Sequence, residues 1–424
     1  MINGGAMRSC ASRAATGLLL MLAPLCASAA SDFWTYSYKD IEVTAQGNSV
    51  FTVNVARYCA RLDALLVQIL AIKTDYRIPT HIYVLPEADI HRLTEANFSS
   101  GYLTSPWSNT VLMDAGARPN GRPYWGAFFG YTATLLASER RTGPDWYRVG
   151  VASVFADTVF EKGEAKIGNI TPAFAYTLTR GGAMYPMRTF LSLPQRESVK
   201  EGENQMRIWN AQAWYVARLV FVEGWHRAEF FSYLGQLRAG HSEAEAFAAS
   251  FKVSYEDLDR EMARAMRDAA HIYVLPAPED PAAATESAQP LTTAEWRGRI
   301  AGLYTLYNQP QQAVQIAQEA LRLEPANQSA LRALARAQLE AHAYADALAT
   351  LGRAGTQDQS LAACLDRARV LSGLAQAVAS GDASLSVDAA SLKQRAREDY
   401  QHALTADPGN REAHSALGSA EVGG

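Results

Sequence analysis

Pairs of alanines spaced seven residues apart restrict the fold of the C-terminal third of this chain more than any other feature. The three pairs are Ala313 and Ala320, Ala347 and Ala354, and Ala396 and Ala403, and a proline, Pro325 or Pro408, follows the first and the third. The first two pairs are offset by 34 residues. Such a period predicts helical hairpins stacked in a row, because each hairpin buries its apolar face only against its neighbours.

The period and the residues at these points resemble the tetratricopeptide repeat. In that family, the small residues let two antiparallel helices pack closely, and the proline ends the second helix. The resemblance covers residues 292–424 and implies an all-α solenoid of about three repeats, with a capping helix that begins near Leu417. The third pair follows the second by 49 residues, so 15 residues interrupt the period, and 379–388 is the expected extra loop. Such an array implies a protein or peptide partner bound in its concave groove.

A segment rich in Pro, Ala and acidic residues, 277–291, separates the repeats from the rest of the chain. It has no apolar period, which is typical of a linker. We therefore expect separate domains at 30–276 and 292–424. The hexapeptide HIYVLP occurs at 81–86 and 271–276, and both copies are expected as short apolar strands rather than as a duplicated unit.

The first 29 residues have the pattern of a secretory signal peptide. Two arginines precede a short apolar run, and Ala27-Ser28-Ala29 offers a cleavage site. The alternative is a lipid anchor on Cys26, although the residues before it differ from a lipobox. We expect an exported protein, periplasmic if the source is a Gram-negative bacterium, and no later segment is apolar enough to span a membrane.

Composition narrows the classes of partner and cofactor. The formal net charge of −4 gives no basic footprint for nucleic acid. Beyond the signal peptide, the two cysteines are Cys59 and Cys364, far apart in sequence. This spacing predicts neither a disulfide framework nor a cysteine zinc site, and we expect no cofactor.

Residues 30–276 are predicted as an α+β domain, with strands at the N-terminus followed mostly by helices. Two of the helices, "YWGAFFGYTATLLASE" (124–139) and "GPDWYRVGVASVFAD" (143–157), are rich in small and aromatic residues. The order of elements and these two helices resemble the peptidase-MA-like, or gluzincin, metallopeptidase domain. The fold class implied for the whole chain is thus a gluzincin-like α+β domain followed by a repeat solenoid.

The gluzincin family carries H-E-x-x-H on one helix and P-x-W-x-x-E-G-x-A on the next. Two histidines four residues apart share a helix face and bind one Zn²⁺, while the glutamate between them acts as base on the bound water. In this chain, Pro144, Trp146, Gly150 and Ala152 fall in register with the second motif.

The residues that would perform the family's chemistry are missing. The resemblance aligns Phe129 and Ala133 with the histidines, Gly130 with the base, and Val149 with the third ligand. None of these side chains offers the nitrogen, sulfur or oxygen donor that zinc requires. No two of the eight histidines are four residues apart. The alternative is a buried helix in an unrelated α+β domain, where a close helix crossing would explain Gly130 equally well.

We therefore expect an exported, non-catalytic protein- or peptide-binding protein. Two alternatives stay open: an active hydrolase or metallopeptidase with an unrecognised site, and a structural envelope assembly factor that acts through its repeats. An old substrate cleft would be lined by aromatic residues unless these pack in the core. The candidates are Tyr102, Trp107, Tyr124, Trp125, Tyr131, Trp146 and Tyr147.

Overall fold

The structure, a computed structural model, describes residues 32–71, 78–95, 100–116, 122–138, 143–180, 183–266, 272–280, 287–382 and 385–422. The predicted signal peptide, residues 1–29, lies outside these ranges. No helix in them is long and apolar enough to cross a membrane.

The described strands form two sheets. They are β1 (Phe33–Tyr38), β2 (Ile41–Gln46), β3 (Thr80–Leu85), β4 (Ser100–Thr104), β5 (Asn109–Asp114), β6 (Val159–Glu161), β7 (Glu164–Ile167), β8 (Tyr273–Pro276) and β9 (Gln289–Pro290). The larger sheet has the order β4-β5-β3-β2-β1-β9, and the smaller sheet has the order β6-β7-β8. Strands β2, β3 and β5 run parallel, whereas β1, β4 and β9 pair antiparallel with their neighbours. The two HIYVLP copies thus contribute β3 and β8, which belong to different sheets.

Helices surround these sheets in the first region of the chain. They are α1 (Ser49–Leu70), α2 (Glu87–Thr94), α3 (Trp125–Ser138), α4 (Asp145–Ala156), α5 (Pro172–Arg180), α6 (Met187–Ser192), α7 (Gln195–Lys200), α8 (Glu203–Ala217), α9 (Arg227–Arg238), α10 (Glu243–Ser250) and α11 (Tyr255–Ala265). A π-helical turn, Arg218–Val222, continues α8. This region is therefore strands followed mostly by helices, as the sequence predicts.

Helix α1 shows why these residues become helical and what they bury. The side chain of Asn48 caps its first turn by accepting a hydrogen bond from the Val50 N–H at 2.7 Å. Val55, Cys59 and Leu62 recur at helical spacing and are fully buried. Burial raises the pKa of the Cys59 thiol, and the nearby Asp63 carboxylate raises it further, so this cysteine is an inert core residue.

In the described residues from 293 onward, the C-terminal region consists of helices joined by turns and loops and contains no strand. Its helices are α12 (Thr293–Leu306), α13 (Pro310–Leu323), α14 (Gln328–Glu340), α15 (Tyr344–Ala354), α16 (Leu361–Ser380), α17 (Ala389–Ala406) and α18 (Arg411–Val422). Successive helices form three hairpins, and α18 follows them.

The alanine pairs all fall on the second helix of a hairpin, and all six residues are buried. Helix α13 carries Ala313 and Ala320, α15 carries Ala347 and Ala354, and α17 carries Ala396 and Ala403. Pro325 and Pro408 stand two residues after the ends of α13 and α17. This arrangement matches the close helix packing and the helix ends that the period predicts.

The extra residues of the third hairpin lengthen its helices as well as its loop. Helix α16 has 20 residues and α17 has 18, against 13 and 11 in the preceding hairpin. The segment predicted as an extra loop, 379–388, begins with the last turn of α16, so its first two residues are helical.

Parts of the segment predicted as a linker contact the first region. The backbone N–H of Ala277 donates to Gly163 at 2.8 Å, and Arg57 forms an ion pair with Asp280 at 2.8 Å. At the other end of the segment, β9 extends the larger sheet by pairing with β1. The described residues from Asp32 onward form one compact unit.

Helix α12 then packs directly on the larger sheet. Trp296 stacks on Phe33 with 4.6 Å between ring centroids. The guanidinium of Arg299 binds the carboxylate of Glu42 on β2 and also donates to the Thr44 hydroxyl at 3.1 Å. The repeats are consequently attached to the sheet by stacking and by charge.

Candidate functional site

Helix α3, which carries the positions aligned with the zinc-binding motif, lies unusually close to strand β5. A methyl group at Gly130 would come within 2.4 Å of Val111 Cγ1, and one at Gly126 within 3.0 Å of Met113 Cβ. These glycines are one turn apart, so together they let the helix backbone approach the sheet. Close packing is therefore a sufficient physical reason for Gly130.

Helix α4 has a similar contact on its other side. A methyl group at Gly150 would lie 2.2 Å from the carbonyl oxygen of Ala213 in α8. Only glycine lets these two helix backbones cross at this distance. This glycine belongs to the second motif of the resemblance, and its role in this chain is helix packing.

The residues at the motif positions do not fit a zinc ion. Ala133 and Val149 are buried apolar residues, and Phe129 is half-buried. Their side chains contain no donor atom. Across the described ranges, no group of three or more His, Cys, Asp or Glu side chains is arranged to hold a metal ion.

Three of the aromatic residues predicted to line a cleft belong to the core instead. Trp146, Tyr147 and Tyr131 are 0%, 1% and 3% exposed and lie within one large cluster of buried apolar residues. The Tyr131 hydroxyl donates to Asp63 at 3.0 Å. Tyr124 is half-buried and packs near Tyr58, with 4.8 Å between ring centroids.

The alanines of the repeat signature are also core residues and offer no surface to a partner. Ala320 and Ala403 are both 0% exposed, and each lies in an apolar cluster between helices of the repeats. A ligand cannot reach these methyl groups without separating the helices. These residues identify the repeats in the sequence, but a binding site on the repeats has to be built from other side chains.

The other aromatic candidates lie near strand β4. Tyr102, Trp125 and Phe129 are all half-buried. Trp125 stacks on Phe129 at 5.3 Å, and the Tyr102 ring lies 6.3 Å from Phe129. Trp107 is half-buried in the turn that follows β4. The position aligned with the first zinc ligand thus belongs to an aromatic row beside β4.

The backbone of β4 directs hydrogen-bonding groups away from the sheet. Across the turn to β5, the N–H of Ser105 donates to the carbonyl of Ser108 at 3.0 Å. Hydrogen-bonded and non-hydrogen-bonded pairs alternate along an antiparallel ladder. By the observed register, Thr104 and Tyr102 are therefore in non-hydrogen-bonded pairs, and their N–H and C=O groups point outward.

The hydrogen bonds between β5 and β3 lead to the same assignment of the β4 backbone groups. The N–H groups of Asn109 and Ala115 donate to Pro79 and Leu85 on the β3 side, each at 2.8 Å. Odd-numbered residues of β5 thus bond toward β3 and even-numbered ones toward β4.

No described strand pairs with the outer side of β4. β4 contains neither a charged residue nor a proline, which commonly protect an edge, whereas the opposite edge strand ends in Pro290.

The repeat region contributes to the other face of β4. A methyl group at Gly101 would lie 3.6 Å from the hydroxyl of Tyr307, which follows α12. This hydroxyl is buried and has no hydrogen-bond partner among the described residues, and burial raises the pKa of Tyr307 to about 12. Nearby, the side-chain amide of Gln309 donates to the carbonyls of Arg92 and Leu93 at the end of α2. We call Tyr102, Thr104, Trp125, Phe129 and Tyr307 the β4 edge site.

Sequence patterns identify the aromatic members of this site but neither its backbone groups nor Tyr307. In the sequence itself, the one indication of such an edge is that the segment "GYLT" (101–104) contains no charged residue and no proline. That composition alone does not place the strand at an edge.

Comparison with known proteins identifies one part of the chain. No curated protein and no solved structure matches it significantly. No family match supports the metallopeptidase resemblance of the first region. Residues 305–377, from the end of α12 through most of α16, match the family model described as Tetratricopeptide repeat, so the C-terminal region carries repeats of that kind.

Proposed function

We propose that this chain is an exported, non-catalytic protein-binding protein. Its first region is a metallopeptidase-like domain that has lost its zinc ligands, and its repeats act as a scaffold. A partner segment in extended conformation binds by adding a strand to β4. The observation that carries this proposal is the pair of outward-facing backbone groups on Tyr102 and Thr104, derived above from the register of β4 and β5.

Strand addition suits the chemistry of this edge. Backbone hydrogen bonds supply affinity for any extended chain, while alternate side chains supply specificity. On one face of β4, the partner's side chains would meet the Trp125–Phe129 stack. On the other face of β4 lies Tyr307, whose buried hydroxyl packs against Gly101. The expected ligand is an extended segment with apolar or aromatic residues at alternate positions.

The attachment of the repeats supports a scaffold role. Tetratricopeptide repeats usually bind other proteins, and here the first repeat helix is fixed to the sheet by Trp296 and Arg299. A partner on β4 and a partner on the repeats would therefore be held in a defined relative position. Export to the periplasm is part of the proposal and rests on the signal-peptide pattern of residues 1–29.

The proposal is tested by removing one outward N–H from the edge. Thr104→Pro deletes a donor that makes no bond to β5, while the matched control Thr104→Val keeps the donor and the branched shape. Peptides are first selected on the full mature chain from a random dodecapeptide phage library. We expect edge-binding peptides to lose affinity at least about tenfold on Thr104→Pro and to bind Thr104→Val normally.

Either of two results would overturn this assignment. If no selected peptide distinguishes Thr104→Pro from Thr104→Val, the edge is not a binding site. Elemental analysis addresses the alternative of an active metallopeptidase. A full equivalent of zinc retained after dialysis would contradict the lost site, whereas we expect less than about a tenth of an equivalent.

A further inference from the structure

A cavity of about 440 Å³ lies between helix α1, the turn that joins β6 to β7, and the residues that follow β8. Its volume falls within the range of about 300–1,000 Å³ that is usual for small-molecule sites. None of the residues that line it belongs to the β4 edge site or to the positions aligned with the zinc-binding motif. The cavity is therefore separate from the sites described above.

Aromatic and apolar groups form part of the lining of this cavity. Tyr58 on α1 and Phe160 on β6 are half-buried, and their rings are parallel within 6°, with 6.2 Å between centroids. Ala277 and Pro278 also line the cavity. The face of an aromatic ring carries partial negative charge, so it attracts C–H groups that neighbouring oxygen atoms polarise. This part of the lining suits a ligand with a C–H face.

Arg61 on α1 brings hydrogen-bond donors to the same cavity. It is 8% exposed, and its guanidinium carbon lies 4.5 Å from the centroid of the Phe160 ring. Its Nε and Nη2 both donate to the carbonyl of Pro278 at 3.3 Å, which is longer than the usual distance of about 2.9–3.0 Å. A guanidinium has five N–H donors. Arg61 can therefore donate to a ligand in the cavity as well.

Asp280 places an acceptor beside this donor. Its Oδ1 accepts from Arg57 at 2.8 Å, while its Oδ2 lies 3.6 Å from Arg61 Nη1. The second distance is an ion pair but too long for a hydrogen bond. A hydroxyl both donates and accepts, so two adjacent hydroxyls match this donor and acceptor. One hydroxyl would accept from Arg61, and its neighbour would donate to Asp280.

The charges around the cavity favour a ligand without a net charge. The cations in the lining are Arg61 and Lys162, and the carboxylates are Glu161, Glu279 and Asp280. The carboxylates repel an anion, and the two cations repel a positively charged ligand. A neutral ligand that presents several hydroxyls avoids both costs.

We propose that this cavity binds one ring of a saccharide. Adjacent hydroxyls of the ring pair with Arg61 and Asp280, and its C–H face packs against Tyr58 and Phe160. A neutral sugar combines these two features in a single ring. Saccharide binding at this cavity is independent of peptide binding at β4, so either function can fail without the other.

The test uses the full mature chain and measures sugar binding by saturation-transfer difference NMR and isothermal titration calorimetry. The probes are glucose, galactose, mannose, N-acetylglucosamine, cellobiose and chitobiose, with glucuronate and glucosamine as charged controls. The variants are Asp280→Ala, which removes the acceptor, and Tyr58→Leu, which removes a ring. Tyr58→Phe keeps the ring, and Asp346→Ala removes an exposed carboxylate from α15. Thermal unfolding followed by circular dichroism checks that each variant is folded.

We expect at least one neutral sugar to bind with a Kd below about 10 mM, with the strongest saturation transfer to C–H protons of one ring face. Asp280→Ala should weaken binding at least about tenfold and Tyr58→Leu about fivefold, whereas Tyr58→Phe and Asp346→Ala should bind as wild type does. Tighter binding of a disaccharide than of its monosaccharide would support a glycan chain as the source of the ring, and equal binding a free sugar.

Three results would overturn the proposal. The first is that no neutral sugar binds. The second is that a sugar binds but a folded Asp280→Ala or Tyr58→Leu protein binds it as tightly as wild type. The third is that glucuronate or glucosamine binds more tightly than every neutral sugar, which would contradict the selection for a neutral ligand.

Discussion

The two regions of this chain are stabilised in different ways. In the first region, one large cluster of buried apolar residues unites the sheet and most helices, and Trp146, Trp209 and Trp214 are completely buried in it. The repeats have several small clusters instead, built mainly from alanine and leucine. A single large core favours cooperative unfolding, whereas stacked repeats gain stability from neighbour to neighbour.

A buried ion pair is a further feature of how the repeats are stabilised. Arg367 on α16 and Asp399 on α17 form an ion pair at 2.7 Å with side chains 5% and 9% exposed. Asp399 also lies in the hairpin whose helices are longest. The small apolar clusters of the repeats are thus supplemented by buried charge, and the stability of the third hairpin depends on keeping that charge paired.

The largest expected effect tests this dependence. Arg367→Ala leaves the Asp399 carboxylate buried without a counter-charge, and we expect it to lower the free energy of unfolding of the third hairpin by about 3–5 kcal/mol. Urea unfolding followed by far-ultraviolet circular dichroism measures this loss. Tryptophan fluorescence, which reports mainly on the first region, is expected to change little.

The double variant Arg367→Met/Asp399→Leu is the control. Replacing both charges with apolar groups of similar size should recover most of the lost stability. Arg297→Ala provides the exposed counterpart, because the Arg297–Glu319 pair is 40% and 45% exposed, and it should cost about 1 kcal/mol or less. Equal losses from Arg367→Ala and Arg297→Ala would contradict the role assigned to the buried pair.

A second, smaller effect compares close packing in the two regions. Gly150→Ala would place a methyl group 2.2 Å from a backbone carbonyl, which cannot move without separating α4 from α8. We expect it to destabilise the first region by about 1–3 kcal/mol. Gly302→Ala in α12 meets no atom within 4 Å and should stabilise the repeats by about 0.5–1 kcal/mol. Urea unfolding of both variants measures the contrast, and effects of the same sign would refute it.

Sequence analysis succeeds where structure is local. The alanine period identifies the repeats because every hairpin packs against its neighbours in sequence order. The distribution of the inserted residues is less local, and the sequence places them in a loop although α16 and α17 absorb many of them. An insertion that continues the apolar pattern of a helix cannot be told from the helix itself.

The candidate sites are less predictable because they depend on contacts between distant segments. That β4 lies at an edge follows from strand order, which brings together strands separated in sequence. Tyr307 reaches Gly101 from a different region of the chain. The sequence favours the core for most of the aromatic candidates without saying which of them it holds, and the packing of α4 between its neighbours places Trp146 and Tyr147 there.

The smallest expected effect concerns the ion pair between Glu42 and Arg299, which joins the first region to the repeats. Burial by itself raises the pKa of Glu42, but the hydrogen bond with His81 and the Arg299 guanidinium outweigh it and hold the pKa well below its usual range. A carboxylate whose folded pKa is depressed stabilises the fold above its unfolded pKa, about 4.3, and loses this contribution as the pH falls toward the folded pKa. Glu42→Gln should therefore cost about 1 kcal/mol near pH 7 and progressively less below about pH 4.

Thermal unfolding of wild type and Glu42→Gln across this pH range measures the effect. The control Glu319→Gln removes a carboxylate from an exposed pair within the repeats and should not change how the two regions unfold relative to each other. If Glu42→Gln separates a single transition into two, the ion pair couples the large core to the repeats, and the regions are distinct in packing but joined in unfolding. If the transitions are already separate in wild type, the ion pair does not couple the two regions. If the cost of Glu42→Gln is independent of pH, the junction is held by apolar packing rather than by charge, through the Trp296–Phe33 stack and the buried cluster that Leu85 and Leu112 share with Tyr304.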